Sequence, residues 1–97
     1  MIIYIDIDGT ICTNRTTLDY LLAEPIYENI KKANKLYDEG HTIVYWTARG
    51  TVTGVNWKDK TEDQLKKWGV KYHEVRVGKP YYDLFICDKA INVKDWL

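Results

Sequence analysis

Short apolar stretches that end in polar residues dominate the hydrophobic pattern of this chain. The first is residues 2–5, Ile-Ile-Tyr-Ile, which Asp6, Asp8 and Gly9 follow at once. Four apolar residues in a row favour a strand buried on both faces, and a glycine directly afterwards indicates a turn. The pattern therefore predicts a buried strand that carries two carboxylates to its carboxyl end, where open parallel sheets bind ligands.

Three later stretches predict further strands. Residues 42–47 are rich in β-branched and aromatic side chains, residues 71–75 form a more polar strand, and residues 83–88 read Asp-Leu-Phe-Ile-Cys-Asp. Thr47 closes the second strand and Asp88 closes the fourth. If the strands are parallel, these polar residues meet Asp6 and Asp8 at one edge of the sheet.

The intervening segments predict helices. Residues 26–39 place apolar side chains at helical spacing and end at Gly40, while Thr61 and Gln64 fit a capping box for a second helix that stops at Gly69. Residues 51–59 are expected to form a loop, and residues 90–97 a short helix or an extended tail. Strands that alternate with helices predict a doubly wound α/β domain with a mostly parallel sheet.

Composition narrows the class of protein. The chain of 97 residues is expected to form one domain, with 45% apolar and 29% charged residues. Fourteen basic residues balance fourteen acidic ones, which argues against nucleic acid and anionic membranes as partners. No apolar run is long enough for a membrane span. Cys12 and Cys87 are expected to be reduced, half-buried thiols rather than a disulfide, as in a cytoplasmic protein.

The polar residues at the predicted edge suit phosphoryl chemistry. A carboxylate can attack phosphorus, and a second carboxyl can protonate the leaving oxygen. Carboxylates and a phosphate repel one another, by about 4 kcal/mol for two unit charges at 4 Å and an effective dielectric constant of about 20. The site therefore needs a divalent cation and a lysine. Asp88 is a candidate metal ligand and Lys79 the candidate lysine. Thr47 and the backbone of Ala48 could hold the phosphoryl oxygens.

Four segments in order resemble the haloacid dehalogenase superfamily of phosphatases and phosphotransferases. They are the DxDGT sequence from Asp6 to Thr10, the strand-ending Thr47, Lys79 in Gly-Lys-Pro, and Asp88 after three apolar residues. The resemblance implies a three-layer Rossmann-like fold. It also implies that Asp6 is the nucleophile, that Asp8 is the general acid and base, and that Asp6, the Asp8 carbonyl and Asp88 hold Mg²⁺.

Other residues are weaker candidates for the same site. Gly9, Thr10 and Ala48 are predicted to contact phosphate, and Arg49 either binds the leaving group of the substrate or is an exposed loop arginine. Arg15 and Lys58 are less specific versions of the same hypothesis. Many relatives end the fourth strand with two acids, whereas here Cys87 precedes Asp88.

The length of the chain indicates a narrower resemblance. Neither residues 11–24 nor residues 51–60 can fold as the cap domain that most relatives carry, so the chain resembles small capless phosphatases of capsular or surface-polysaccharide synthesis. A sugar, polyol or amino-alcohol phosphate would suit such an enzyme. Its open site could be completed by a neighbouring subunit of a homo-oligomer or by a large substrate.

Two other functions remain open on the sequence alone. Some capless relatives act on large substrates, so a nucleic-acid 3′-end phosphatase is one alternative. The neutral net charge and the lack of an aromatic and basic stripe argue against it. A phospho-ligand-binding or partner-binding module without catalysis is the other.

Overall fold

The computed structural model describes residues 1–13 and 20–97, which form a small α/β fold. Three parallel strands lie in the order β1-β2-β3, and one helix follows each of the first two strands. The bounds are Ile2–Ile5 for β1, Tyr27–Asp38 for α1, Thr42–Trp46 for β2, Lys58–Lys67 for α2 and Glu74–Arg76 for β3. Short 3-10 turns occur at Tyr20–Leu22 and Val93–Asp95.

The core lies between one face of the sheet and the two helices. In the parallel register Ile5 is paired with Tyr45, and Tyr45 with Val75, so their side chains line one face. Side chains of both helices, including Ile30 and Leu65, pack against this row, and every one of these five residues is buried. The α/β prediction and the parallel sheet are thus confirmed.

The other face of the sheet is more open. Ile2 and Tyr4 point to this side and are 73% and 46% exposed. Tyr4 packs edge-to-face on Trp46, with ring centroids 5.8 Å apart. The described residues therefore form a sheet and one helical layer, which is less than the three layers that the resemblance implies. No helix in the described ranges is long and apolar enough to cross a membrane.

The predicted fourth strand is not present. Residues 83–88 form no strand, and Leu84, Phe85 and Ile86 are 76%, 57% and 88% exposed. Their apolar sequence is typical of a buried strand, but a strand forms only where another strand edge offers hydrogen bonds. Within the described residues no such edge pairs with them. The third strand also differs, since it covers residues 74–76 rather than 71–75.

The second helix corrects another prediction. It begins at Lys58, three residues before Thr61, and the Asn56 side chain accepts a hydrogen bond from the Lys58 N–H at 3.0 Å. Thr61 and Gln64 are therefore not a capping box but lie inside the helix, where both are buried. The predicted helix ends are right, because Gly40 and Gly69 follow the last turns with positive φ.

Among the five glycines from Gly40 to Gly78, Gly50 is the one where neighbouring atoms leave no room for a side chain. A Cβ atom there would lie 2.0 Å from the Val55 carbonyl oxygen, and φ is +81°. Gly54 has a similar φ of +74° but open space around it.

We expect Gly54→Ala to cost about 1 kcal/mol of unfolding free energy, the ordinary penalty of a left-handed backbone. Gly50→Ala should cost about 2 kcal/mol more, because the added methyl group overlaps backbone that cannot move freely. Urea denaturation of the two variants measures the difference. Equal losses would show that the loop from Gly50 to Val55 adapts to the extra methyl group.

Candidate functional site

The carboxyl ends of β1 and β2 bring three predicted residues together. Asp6 follows β1 directly and Thr47 follows β2. The N–H of Lys79 donates to the Thr47 carbonyl at 3.1 Å, which fixes the turn after β3 beside the end of β2. From this turn Lys79 Nζ reaches to 3.5 Å from Asp6 Oδ1. The predicted proximity of Asp6, Thr47 and Lys79 is thus present in the structure.

The surroundings of Asp6 disfavour the charged form of its carboxyl group. Its side chain is 41% exposed and that of Lys79 is 16% exposed. Partial burial raises the pKa of Asp6 above its usual value, the negative charge of Asp8 raises it further, and Lys79 opposes both effects without cancelling them. Lys79 Nζ also lies over the rings of Trp46 and Tyr82, 5.8 and 5.5 Å from their centroids.

Asp8 faces a different cation, the guanidinium of Arg49. Arg49 Nε donates to Asp8 Oδ2 at 2.9 Å, and Nη2 donates to Oδ1 at 2.8 Å. This is the bidentate geometry in which arginine binds carboxylates most strongly. The Arg49 side chain is fully buried, whereas the Asp8 side chain is 19% exposed.

The remaining donors of Arg49 are also occupied. Nη1 donates to Thr61 Oγ1 at 3.2 Å and to Gln64 Oε1 at 2.8 Å, and Nη2 has a longer contact of 3.8 Å with Cys12 Sγ. The Tyr20 ring lies 4.8 Å from the guanidinium carbon. Arg49 is therefore not an exposed loop residue, and that alternative is wrong. Its contact with a substrate stays a prediction, which the occupied donors do not favour.

Sequence reasoning missed Thr61 and Gln64 as partners of this arginine. They are three positions apart on α2 and so share one helix face, the buried one. The available signal was that Thr61 and Gln64 lie on the same helix face as the inward-facing Leu65, in a helix with few apolar residues. Buried polar side chains need partners, and Arg49 supplies hydrogen-bond donors to both.

The backbone donors predicted to bind phosphate differ in availability. The N–H groups of Gly9 and Thr10 are used within the turn, donating to the carbonyls of Cys12 and Ile7. The Thr47 hydroxyl accepts a hydrogen bond from the Arg49 N–H at 3.0 Å. The Ala48 N–H makes no hydrogen bond within the described ranges. Among the predicted backbone donors, Ala48 is thus the better placed for a phosphoryl oxygen.

Asp88 does not join the other carboxylates. It is exposed, and within the described part of the chain its carboxylate has a single long contact, 3.9 Å from the neighbouring Cys87 Sγ. In residues 1–13 and 20–97 no three acidic, histidine or cysteine side chains are grouped so that they could hold a metal. The predicted magnesium site of Asp6, Asp8 and Asp88 is therefore not assembled within one chain, because the strand that should carry Asp88 to the edge is not formed.

A cleft of about 350 Å³ lies beside the site, between the loop after Arg49 and the turn after β3. Trp57, Lys58 and Gly78 are among its lining residues, but Asp6 and Asp8 are not. Lys58 lines this cleft, and its contact with a substrate stays a prediction. Arg15 lies outside the described residues.

The two cysteines are free but differ in environment. Cys12 is fully buried, and burial together with the nearby Asp8 charge raises the pKa of its thiol to about 12. A thiol with such a pKa is a poor nucleophile. Cys87 is exposed. The expectation that both are half-buried is therefore wrong.

Comparison with known proteins supports the fold but gives no function. The crystal structure of a target protein from Vibrio cholerae is similar to this chain, with a TM-score of 0.86 and 27% identity, over 96% of this chain and 84% of the other. The unmatched 4% is too short to contain the whole stretch after Lys79, so most of that stretch belongs to the matched region. No protein-family description and no curated protein matches the chain.

The two aspartates should have opposite effects on stability. Asp8→Asn leaves the buried Arg49 guanidinium without its counter-charge, and we expect a loss of about 3 kcal/mol in unfolding free energy at pH 7. Asp6→Asn removes a carboxylate whose raised pKa means that its charged form destabilises the fold. We expect this variant to be at least as stable as wild type at pH 7.

The pH dependence follows from the direction of the Asp6 shift. The folded state favours protonated Asp6, so its stabilising contribution is present below the usual aspartate pKa and is lost as the pH rises through the raised value. The difference between wild type and Asp6→Asn should therefore shrink towards low pH. Urea denaturation from pH 3 to pH 8 measures it. A destabilised Asp6→Asn at pH 7 would show that the Lys79 ion pair outweighs the burial of Asp6.

Proposed function

We propose that this protein is a phosphomonoester hydrolase of the haloacid dehalogenase type, with Asp6 as its nucleophile. The observation that carries the proposal is the position of Asp6: a half-buried carboxylate with a raised pKa, at the carboxyl end of a parallel strand, with a lysine 3.5 Å away. Residues that destabilise the fold while they are charged are typical of functional sites.

Each neighbouring group has a role in this reaction. An Asp6 oxygen attacks phosphorus, the ester oxygen leaves with the bond electrons, and water then hydrolyses the aspartyl-phosphate to release phosphate and regenerate Asp6. The charge of Lys79 reduces repulsion between Asp6 and the incoming phosphate. In the proposed reaction the Ala48 N–H and the Thr47 hydroxyl donate hydrogen bonds to phosphoryl oxygens.

Asp8 supports this chemistry in a less direct way. Both of its oxygens accept hydrogen bonds from Arg49, so the carboxylate is held in place by a buried cation. A general acid and base must exchange a proton with the leaving oxygen and with water. That role for Asp8 remains a prediction from the family resemblance, and the proton would go to a lone pair that Arg49 does not occupy.

Magnesium is part of the proposal but does not fit a single chain. The family resemblance implies three ligand positions, and within the described part of one chain Asp6 and Asp8 have no third acidic, histidine or cysteine side chain beside them that would complete a metal site. A divalent cation bound there would offset the negative charge of phosphate and carboxylates. Since Asp88 is absent from this edge of the sheet, no step of the reaction is assigned to the metal.

The substrate we propose is a small phosphorylated metabolite, such as a sugar, polyol or amino-alcohol phosphate. The cleft of about 350 Å³ has the size of a small-molecule pocket, and its Lys58 offers a cation to a polar leaving group. The balanced charge of the chain argues against a nucleic-acid end as substrate. The three-layer fold of the superfamily is part of the same proposal.

The test is phosphate release from a panel of phosphomonoesters. Wild type and Asp6→Asn would be assayed with sugar phosphates, small alcohol phosphates, nucleotides and a 3′-phosphorylated oligonucleotide, each with Mg²⁺ and with EDTA. We expect turnover of at least one small substrate, lost by about 1000-fold or more in Asp6→Asn and in EDTA. Equal rates in wild type and Asp6→Asn would contradict the proposal.

Lys79 offers a second, graded test. Lys79→Ala removes the cation next to the nucleophile, and we expect kcat/KM to fall by about 100-fold. Lys66→Ala is a matched control, because Lys66 is an exposed lysine on α2 that contacts no residue of the site. If both variants kept wild-type rates, Lys79 would have no part in catalysis.

A further inference from the structure

Residues 80–92, which we call the C-terminal arm, expose an unusual amount of apolar surface. Tyr81, Leu84, Phe85, Ile86 and Ile91 are all exposed. Isolated exposed apolar residues are ordinary, but a continuous run of this kind marks a surface that another molecule covers. The arm is also too apolar for a solvated loop, since its centre reads Leu-Phe-Ile-Cys.

The arm is not a frayed chain end, because it is held on both sides. Before it, the Lys79 N–H donates to the Thr47 carbonyl, and the Lys79 carbonyl accepts from Thr51 Oγ1 at 2.8 Å. After it, Lys32 of α1 donates to the Trp96 carbonyl at 2.8 Å and lies over the Trp96 ring. Most of this stretch also belongs to the region matched by the crystal structure of the Vibrio cholerae protein.

A second exposed apolar element lies elsewhere in the same chain. In the part that the structure describes, β1 is an edge strand that pairs only with β2, although its four residues are all apolar. An uncharged edge strand with free backbone groups is open to pairing with another strand. The opposite edge is protected, because β3 carries the exposed ion pair of Glu74 and Arg76.

The arm and the edge of β1 are complementary in their strand pairing and in their carboxylates. Among residues 1–13 and 20–97, the arm is a strand-like sequence with no partner strand, and β1 has one edge that pairs with no other strand. Asp88 follows the apolar centre of the arm, while Asp6 and Asp8 follow β1 without, among the described residues of one chain, the third carboxylate that a metal site needs. Parallel pairing that sets Asp88 beside Asp6 would set Ile86 beside Tyr4.

We propose that two copies of this chain exchange their arms. The arm of each copy adds a fourth parallel strand to the free edge of β1 in the other copy and delivers Asp88 to the Asp6 and Asp8 of that copy. The exchange is reciprocal, as a two-fold symmetric interface requires. It covers both exposed apolar elements and makes each site a composite of two chains. The part concerning Asp88 rests on the proposed function.

The oligomeric state tests the exchange without reference to activity. Wild type, Ile86→Lys and Val52→Lys would be compared by light scattering after size exclusion, with circular dichroism as a check of folding. Val52 is the matched control because it is an equally apolar, 75% exposed residue outside the arm. We expect dimers for wild type and Val52→Lys and a folded monomer for Ile86→Lys. A monomeric wild type, or a dimer that Ile86→Lys leaves intact, would overturn the proposal.

Mixed dimers test the composite site. Asp6→Asn and Asp88→Asn should each be inactive alone, but co-expressed they form mixed dimers in which one site has both aspartates. Random pairing restores about a quarter of wild-type activity. Asp6→Asn with Lys79→Ala is the control, because both changes affect the part of the site that one chain supplies, so no intact site forms.

The outcomes separate the two proposals. Restored activity in the first pair and none in the control supports arm exchange. No restoration, or full activity of Asp88→Asn alone, overturns the composite site. If wild type itself releases no phosphate from any substrate, the proposed function fails, while light scattering still decides whether the arms make a dimer.

Discussion

The buried ion pair of Asp8 and Arg49 is the constraint on which the rest of the site depends. It ties the turn after β1 to the segment after β2, and through Thr61 and Gln64 it ties both to α2. A buried guanidinium is stable only if its donors are satisfied, so the three segments can move only together. Asp6 and Thr47 lie next to these segments in the chain, so the ion pair also restricts the distance between them. The role of the ion pair is thus structural: it holds the segments that carry Asp6 and Thr47.

The sheet and both helices were predictable from the sequence because local patterns and burial agree there. Ile43, Val44 and Tyr45 are buried in β2 as its apolar run predicts, and Gly40 and Gly69 end the helices as expected. Thr47 was predicted to lie near Asp6 because parallel strands bring their carboxyl ends to one edge, whereas Lys79 was assigned to the site by the charge that a phosphate needs and by the family resemblance. The prediction for Thr47 needs only the period of the pattern and the direction of the strands.

Arg49 shows what the pattern could not supply. The sequence shows that an arginine follows a strand. Whether this arginine is buried depends on hydrogen-bond acceptors that come from distant positions in the chain. Asp8 lies 41 residues before it and Gln64 15 residues after it. Because Thr61 and Gln64 also fit a capping box, their local signal favoured the wrong role for them. Tertiary contacts of this kind override local preference.

The predicted fourth strand failed for the opposite reason. Its pattern is correct for a buried strand, yet burial is a property of the strand and its surroundings together. Residues 2–5 failed in the same way: they were expected to be buried on both faces, but only Ile5 is. The sequence predicts buried strands at residues 2–5 and 83–88, yet most of these side chains are exposed. An assembly in which each segment covers the other would explain both differences. In that case the chain specifies its site at the level of the dimer, because Asp6 and Asp88 belong to one edge only when two copies meet.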